Sequence, residues 1–300
     1  MNTLMVVTGP TAVGKSSYCM QLAKKWDTEI FSCDSRQFYR EMKIGTAAPE
    51  ADEMDLVPHH FIGNLSVKDQ YTVYQYEKEV IAKLQERFKI HPLLLLTGGS
   101  GLYLDAVIRG MDDIPDPDPE IRNNLLKRWK NEGVDTLRKE LLQLDPDYYQ
   151  TIDLNNPKRI LRGLEVCLTT GKPFSTFRVG RQSNRPFKIL LVILDRPRDE
   201  LYRRIDRRVD NMMEKGLLDE ARSLYPLRHL NALNTVGYKE LFGYFDGRYS
   251  LDEAIRLIRR NTRHYARRQL TWFRKYQDTG FFNPDKIRVL TLRIHPAAAE

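Results

Sequence analysis

The stretch VVTGPTAVGKSSYCMQLA, residues 6 to 23, limits the fold of this chain more than any other. An apolar run, LMVVTG, reads as a buried strand, and it runs directly into Gly9, Pro10, Thr11, Ala12, Val13, Gly14, Lys15 and Ser16, the spacing G-x-x-x-x-G-K-S. The glycines let the backbone turn its N–H groups around an anion, and the helix that follows adds partial positive charge at its N-terminus. Lys15 adds a full charge, and the Ser16 hydroxyl is a ligand for Mg²⁺. Strand, loop and helix in this order bind phosphate, most often that of a nucleotide such as ATP, at the edge of a parallel sheet.

The rest of the chain extends that pattern. EIFSCDS and HPLLLLTGG read as two further strands, with the helix VYQYEKEVIAKLQERF between them; FKILLVILDRP, residues 187 to 197, is a fourth, and KIRVLTLRI near the C-terminus a fifth. Strands alternating with helices predict an α/β fold, a P-loop NTPase-like parallel sheet with flanking helices. Between the third and fourth strands the signal turns helical. Asp118 caps one helix, with Pro119 in its first turn and Gly133 beyond its end. Asn156 and Pro157 start another that runs to Gly171, with Ile160, Leu161, Leu164 and Leu168 on its apolar side. The expected organisation is a catalytic core of residues 1–115 and 186–300, with a helical insertion domain at 116–185.

Composition narrows the setting. Of 300 residues, 41% are hydrophobic, enough for a packed core, and the apolar runs are strand-sized, too short to span a membrane. Cys19, Cys33 and Cys167 form no CxxC pair, so neither a disulfide framework nor a zinc site is indicated, and a cytoplasmic location is expected. The net charge is +8, and the segment from Ala254 to Gln277 holds eight Lys or Arg and no acid. Arg256, Arg260, Arg263, Arg267 and Arg274 share one side of a helix, with Tyr265, Trp272 and Phe273 interleaved, a pattern suited to a phosphate backbone. A solvated face that binds nothing is the competing reading.

Phosphoryl transfer needs more than a phosphate loop. The third strand ends in LTGGSG, with no acid where a nucleotide-hydrolysing enzyme carries one for Mg²⁺. Asp195 ends the fourth strand but serves equally as a helix cap before RPRDE. Asp34 ends the second strand, at the carboxyl edge where ligands of parallel sheets bind, so it is a candidate general base, a water-mediated Mg²⁺ ligand, or a turn cap. His59 and His60 are adjacent, point apart, and have no third ligand nearby.

Taken together, GPTAVGKS, DSRQFYREMKIGTAAP, VPHHFI, GGSGLYLDA, NPKRILRGLEV, NTVGYKEL and RQLTWFRK resemble the tRNA dimethylallyltransferase family over roughly residues 6 to 276. The resemblance implies that the loop holds the diphosphate of dimethylallyl diphosphate. It further implies transfer of the prenyl group to N6 of the adenosine just 3′ of the anticodon, in tRNAs reading codons that begin with U. By the same resemblance Asp34 is the general base, and Lys15, Thr11 and Arg208 contact the diphosphate, with Arg207 the competing assignment for Arg208. Asp34, Ser35, Arg36, Gln37, Ser100 and Arg122 are assigned to tRNA, as are Lys158, Arg159, Ile160, Leu161 and Arg162 near the start of their helix, gripping the anticodon stem-loop. Mg²⁺ at Ser16 is the implied cofactor, and the implied enzyme is a monomer without a membrane partner.

Two other readings stand beside this one. A small-molecule or nucleotide kinase with the same loop would use ATP as donor and Asp34 as base for a hydroxyl. An RNA-binding module without catalysis would make no use of Lys15, Ser16 and Asp34.

Overall fold

The computed structural model describes residues 1–180 and 183–286. It divides the chain into two compact units, residues 1–108 with 185–300, and residues 109–184. The fifth strand expected from KIRVLTLRI begins at the edge of the described residues and lies almost wholly outside them.

In the first unit six strands form one parallel sheet, in the order β3 (His59–His60), β2 (Ile30–Ser32), β4 (Leu93–Gly98), β1 (Thr3–Thr8), β5 (Lys188–Leu194), β6 (Phe281–Phe282). The two-residue strands β3 and β6 are edge additions too short to carry a sequence signal. Parallel strands require crossovers, so helices cover both faces and the central strands are apolar throughout. The pleat divides β1 between two cores. Leu4 and Val6 join Phe31, Leu94 and Leu96 beneath α4 (Val73–Arg87) and α5 (Gly101–Arg109). Met5 and Val7 join Leu93 and Leu95 beneath α1 (Lys15–Trp26), α10 (Arg198–Glu214) and α13 (Leu251–Phe273). The helix α4 starts where its sequence dictates: Gln75 N–H donates to Thr72 Oγ1 (3.2 Å), and Thr72 N–H donates to Gln75 Oε1 (2.8 Å).

A third cluster joins the sheet's carboxyl side to helices: Tyr39 and Met42 pack with α10, α11 (Leu217–Leu224), α12 (Tyr238–Phe245) and α13. Two short helices, α2 (Lys43–Thr46) and α3 (Ala51–Leu56), follow β2. The α2 turn is held by Glu220, whose carboxylate accepts from Ile44 N–H and Gly45 N–H, each at 2.8 Å.

The second unit is helical in its described residues: α6 (Pro119–Glu132), α7 (Val134–Leu144), α8 (Pro146–Thr151) and α9 (Pro157–Thr170). Asp118 caps α6, accepting from Glu120 N–H at 2.7 Å, and Gly133 follows its last residue. Asn156 stands before α9 without a side-chain cap bond. Leu125, Leu137, Leu141, Tyr148, Ile160 and Leu164 form the core, and Asp145 is buried there with its carboxylate satisfied by Tyr148 N–H and Ser175 N–H. Leu168, expected on the apolar side of α9, is instead 39% exposed, because α9 turns Val166 and Cys167 inward at that end.

Candidate active site

Because β1, β2 and β4 are parallel, their carboxyl ends open on one edge, and each delivers one part of a site. From β1 comes the phosphate loop. Gly9 has φ +148°, and a Cβ there would lie 2.4 Å from the Leu194 carbonyl oxygen, so only glycine lets the loop pass the end of β5. Gly14 has φ +111° and starts α1, whose first-turn N–H groups have no intrahelical acceptor and are available to an anion. Two other N–H groups of the loop are already committed: Val13 donates to Pro10 O (3.3 Å) and Thr11 to Gln269 Oε1 (2.8 Å). The carbonyls turned outward are held by arginines, since Arg204 Nε donates to Ala12 O and Arg196 Nε to Val13 O, both at 2.8 Å. Val13 itself is fully buried in the core, so its side chain anchors the loop.

Lys15 Nζ curls over the loop onto Gly9 O (3.0 Å) and Pro10 O (2.9 Å). Loss of solvent lowers its ammonium to about 8, with nearby Arg208 pushing the same way and Asp34 opposing. Ser16 and Ser17 line the same cavity, about 360 Å³, together with Thr11, Asp34, Gln37, Arg204, Arg207, Arg208 and Tyr265.

From β2 comes Asp34. Its Oδ1 accepts from Arg36 N–H (3.0 Å), an Asx turn that fixes the carboxylate, so the turn-cap role is real. The same side chain also lines the loop cavity and a neighbouring one of about 470 Å³, walled by Arg36, Asn234, Lys239, Glu240, Asn261, His264 and Arg268. Ser35 N–H donates to Ser100 Oγ (3.0 Å), which ties β2's end to the glycines after β4. The Tyr265 hydroxyl is raised to about 12 by burial and by the Asp34 charge, with Ser100 opposing. Gln37 accepts from Ser32 Oγ (3.1 Å) and donates to Ala47 O (3.2 Å), and Arg36 Nη1 donates to Ala232 O (3.0 Å).

Arg208 on α10 lines both cavities and donates to Thr46 O (3.1 Å); its guanidinium is lowered by burial and steadied by Asp34. Arg207 is exposed and reaches only the loop cavity. The structure thus brings Lys15, Ser16, Asp34 and Arg208 into one place, with no carboxylate at the end of β4. Asp195 does not cap α10, for which Pro197 is the N-cap; its Oδ1 accepts from Arg196 N–H. His60 pairs with the buried Glu29 (2.8 Å), and no metal cluster of three His, Cys, Asp or Glu exists among the described residues.

Two expectations are narrowed. Ile160 and Leu161 are 0% and 5% exposed within the helical core, so their side chains hold the fold and a contact with RNA there falls to the backbone. Lys158 and Arg159 beside them are exposed, whereas Arg122 is paired with the buried Glu165 (2.9 Å) and Arg162 donates to Pro115 O (3.2 Å). The basic helix α13 is also less bare than its segment implies. Arg256 pairs with Glu253, Arg259 with Asp210 and Arg263 with Asp206 (2.5 Å), acids that lie on α10 or ahead of Ala254. Arg267 keeps no ion pair among the described residues, and Arg268 lies over the Tyr265 ring. Gln269 was not singled out in the sequence. Its signal is a polar residue on the buried row of α13 that also holds Ala254, Ile258, Ala266 and Phe273.

Comparison with known proteins gives these positions a context. A family model described as IPP transferase matches residues 37–276. A tRNA dimethylallyltransferase of Porphyromonas gingivalis is 53% identical over 97% of this chain and 98% of its own length, and one of Phocaeicola vulgatus is 49% identical over 98% of both. Among solved structures, the tRNA isopentenylpyrophosphate transferase of Bacillus halodurans superposes with a TM-score of 0.68 at 38% identity, covering 95% of this chain and 90% of that one. A eukaryotic dimethylallyltransferase captured acting on tRNA superposes at 0.77 and 26% identity, over 91% of this chain and 70% of that one.

Proposed function

Since this chain belongs to the IPP transferase family, we propose that it transfers the dimethylallyl group from dimethylallyl diphosphate to N6 of the adenosine 3′ of the anticodon, in tRNAs reading codons that begin with U. One observation carries the reading. Thr11, Asp34, Arg208 and Tyr265 line both cavities, so the Asp34 carboxylate stands where a phosphate cradle opens into a second polar chamber.

The chemistry follows from that adjacency. An exocyclic adenine amine is a weak nucleophile, its lone pair delocalised into the ring, and it must leave the base stack to reach a carboxylate set inside a cavity. The flipped adenine occupies the larger chamber with N6 toward Asp34. As the N6 lone pair forms the bond to the allylic carbon, the C–O bond breaks, its electron pair leaves with the diphosphate, and Asp34 takes the amine proton. Growing charge on the departing oxygens is met by the Lys15 ammonium, the Arg208 guanidinium and the first-turn N–H groups of α1. Ser16, exposed on that turn and lining the loop cavity, is the residue that would hold a Mg²⁺ ion, which would further neutralise the leaving group.

Ser35 and Arg36 line the chamber that receives the base, Ser100 holds the Ser35 N–H, Gln37 lies on the side of the loop cavity, and Lys158 and Arg159 of the helical unit, with Arg122 and Arg162, hold the anticodon stem-loop. The enzyme acts as a cytoplasmic monomer; no helix among the described residues is long and apolar enough to cross a membrane. Incubation with unmodified tRNA, Mg²⁺ and labelled dimethylallyl diphosphate, followed by digestion to nucleosides, should yield N6-(dimethylallyl)adenosine. Label recovered on any other atom or base would refute the assignment.

A further inference from the structure

One buried polar side chain has no part in that chemistry. Gln269 is 6% exposed on the inner row of α13. Its Oε1 accepts from the Thr11 N–H (2.8 Å), and its Nε2 donates to the Gly99 carbonyl oxygen (2.8 Å). A backbone N–H can only donate and a carbonyl can only accept, so the amide has a single orientation and both its partners are fixed. A Cβ on Gly99 would lie 2.2 Å from Nε2, which shows how closely the side chain is fitted to that backbone.

The place of this bridge matters. The β1–β4 ladder ends at the pair Thr8 and Gly98, where Thr8 Oγ1 donates to Gly98 O (2.8 Å). Beyond it the two chains separate, one into the phosphate loop and the other into the glycines that back Asp34. A Cβ at Gly98 would meet Cys33 Sγ at 2.6 Å and Asp34 N at 2.9 Å, so the Asp34 turn rests directly on this backbone. Gln269, from a third element, is the next tie between the two.

We propose that Gln269 is a positioning residue that sets the separation between the diphosphate cradle and the Asp34 carboxylate. The inference rests on the function proposed above. Without the amide, Thr11 N–H and Gly99 C=O lose their partners inside the protein, and the loop relaxes away from the base. A misplacement of about 1 Å between reacting groups costs on the order of 10²-fold in rate, so the effect falls on kcat. Affinity for tRNA, which is gripped elsewhere, stays put.

Two variants test this in the full chain, with tRNA, dimethylallyl diphosphate and Mg²⁺. Gln269→Leu should lower single-turnover kcat about 10- to 100-fold and weaken dimethylallyl diphosphate binding by up to about tenfold, with tRNA affinity within about twofold of wild type. Gln269→Glu keeps the acceptor but, when ionised, sets an oxygen against Gly99 O; protonated, it restores both bonds. Its kcat relative to wild type should therefore climb toward one as pH falls through the raised range of a buried carboxyl. This variant carries the test if Gln269→Leu does not fold. Wild-type kcat in Gln269→Leu, or no low-pH recovery in Gln269→Glu, would overturn the inference while leaving the function standing. A wild-type protein that fails to bind dimethylallyl diphosphate removes the function, and the inference with it.

Discussion

The Lys15 ammonium gives the site a pH dependence whose sign and range follow from its surroundings. Loss of solvent brings it down to about 8, with Arg208 lowering it and Asp34, Cys33 and Cys19 raising it. Without ligand it is then charged in about nine molecules of ten at about pH 7 and in about one of ten at about pH 9. A bound diphosphate needs the charged form and holds it charged. The complex therefore carries more protons than the free protein above about pH 8, and binding takes up a proton there. Dimethylallyl diphosphate has lost its last proton by about pH 6 to 7, so the ligand adds little of its own. Affinity should be nearly flat below about pH 8 and fall by about tenfold for each unit above it. Titration calorimetry in two buffers of different ionisation heat should count about 0.1 proton taken up near pH 7 and about 0.9 near pH 9. Lys15→Arg, which stays charged, should flatten the profile. Constant wild-type affinity between about pH 7 and 9, or an unaltered pH profile in Lys15→Ala, would refute the reasoning.

Asp34→Asn keeps the side chain's shape but cannot take the amine proton, so rapid-quench single turnover should show kcat reduced about 10²-fold or more, with tRNA affinity nearly intact. Arg267, without an ion pair among the described residues, should contribute to tRNA binding when replaced by Gln: the slope of log affinity against log salt flattens by about 0.7 to 0.9. Arg263→Gln, which gives up a guanidinium already committed to Asp206, should leave that slope unchanged in the same filter-binding series. Ile160→Ala opens a cavity in the helical core and should cost that unit about 2 to 5 kcal/mol, read from urea melts followed by Trp129, which packs against this core. An unchanged melt with lost tRNA binding would return Ile160 to the RNA surface.

What the sequence made legible was local and periodic. The strand–loop–helix of residues 3–26, the apolar run of β4 and the cap at Asp118 each declare themselves within a few residues, and the structure has them at or near those places. The carboxyl-edge rule for parallel strands already set Asp34 beside the Lys15 loop, whereas Arg208, on the distant helix α10, was reached through a family resemblance and not through spacing. Pairing between distant segments was the main loss. Asp206 and Asp210 neutralise arginines more than forty positions later in the chain, and a count of charge within one helix cannot see them. Ile160 and Leu161 share the phase of the α9 core with Leu164, which already marked them as interior. Gln269 was hidden in the opposite way, a polar residue in an apolar row whose partners, Thr11 and Gly99, lie far off in sequence.

On the proposed function the phosphate loop holds a leaving group and does not hold the donor of a phosphoryl group. The direct test is to mix the protein with tRNA, Mg²⁺ and dimethylallyl diphosphate, with no ATP or other nucleotide, and to count products in a single turnover. One diphosphate should be released for each adenosine prenylated, and both products should be lost together in Lys15→Ala while tRNA still binds. Turnover that begins only when ATP is added, or phosphate appearing on an acceptor, would contradict it.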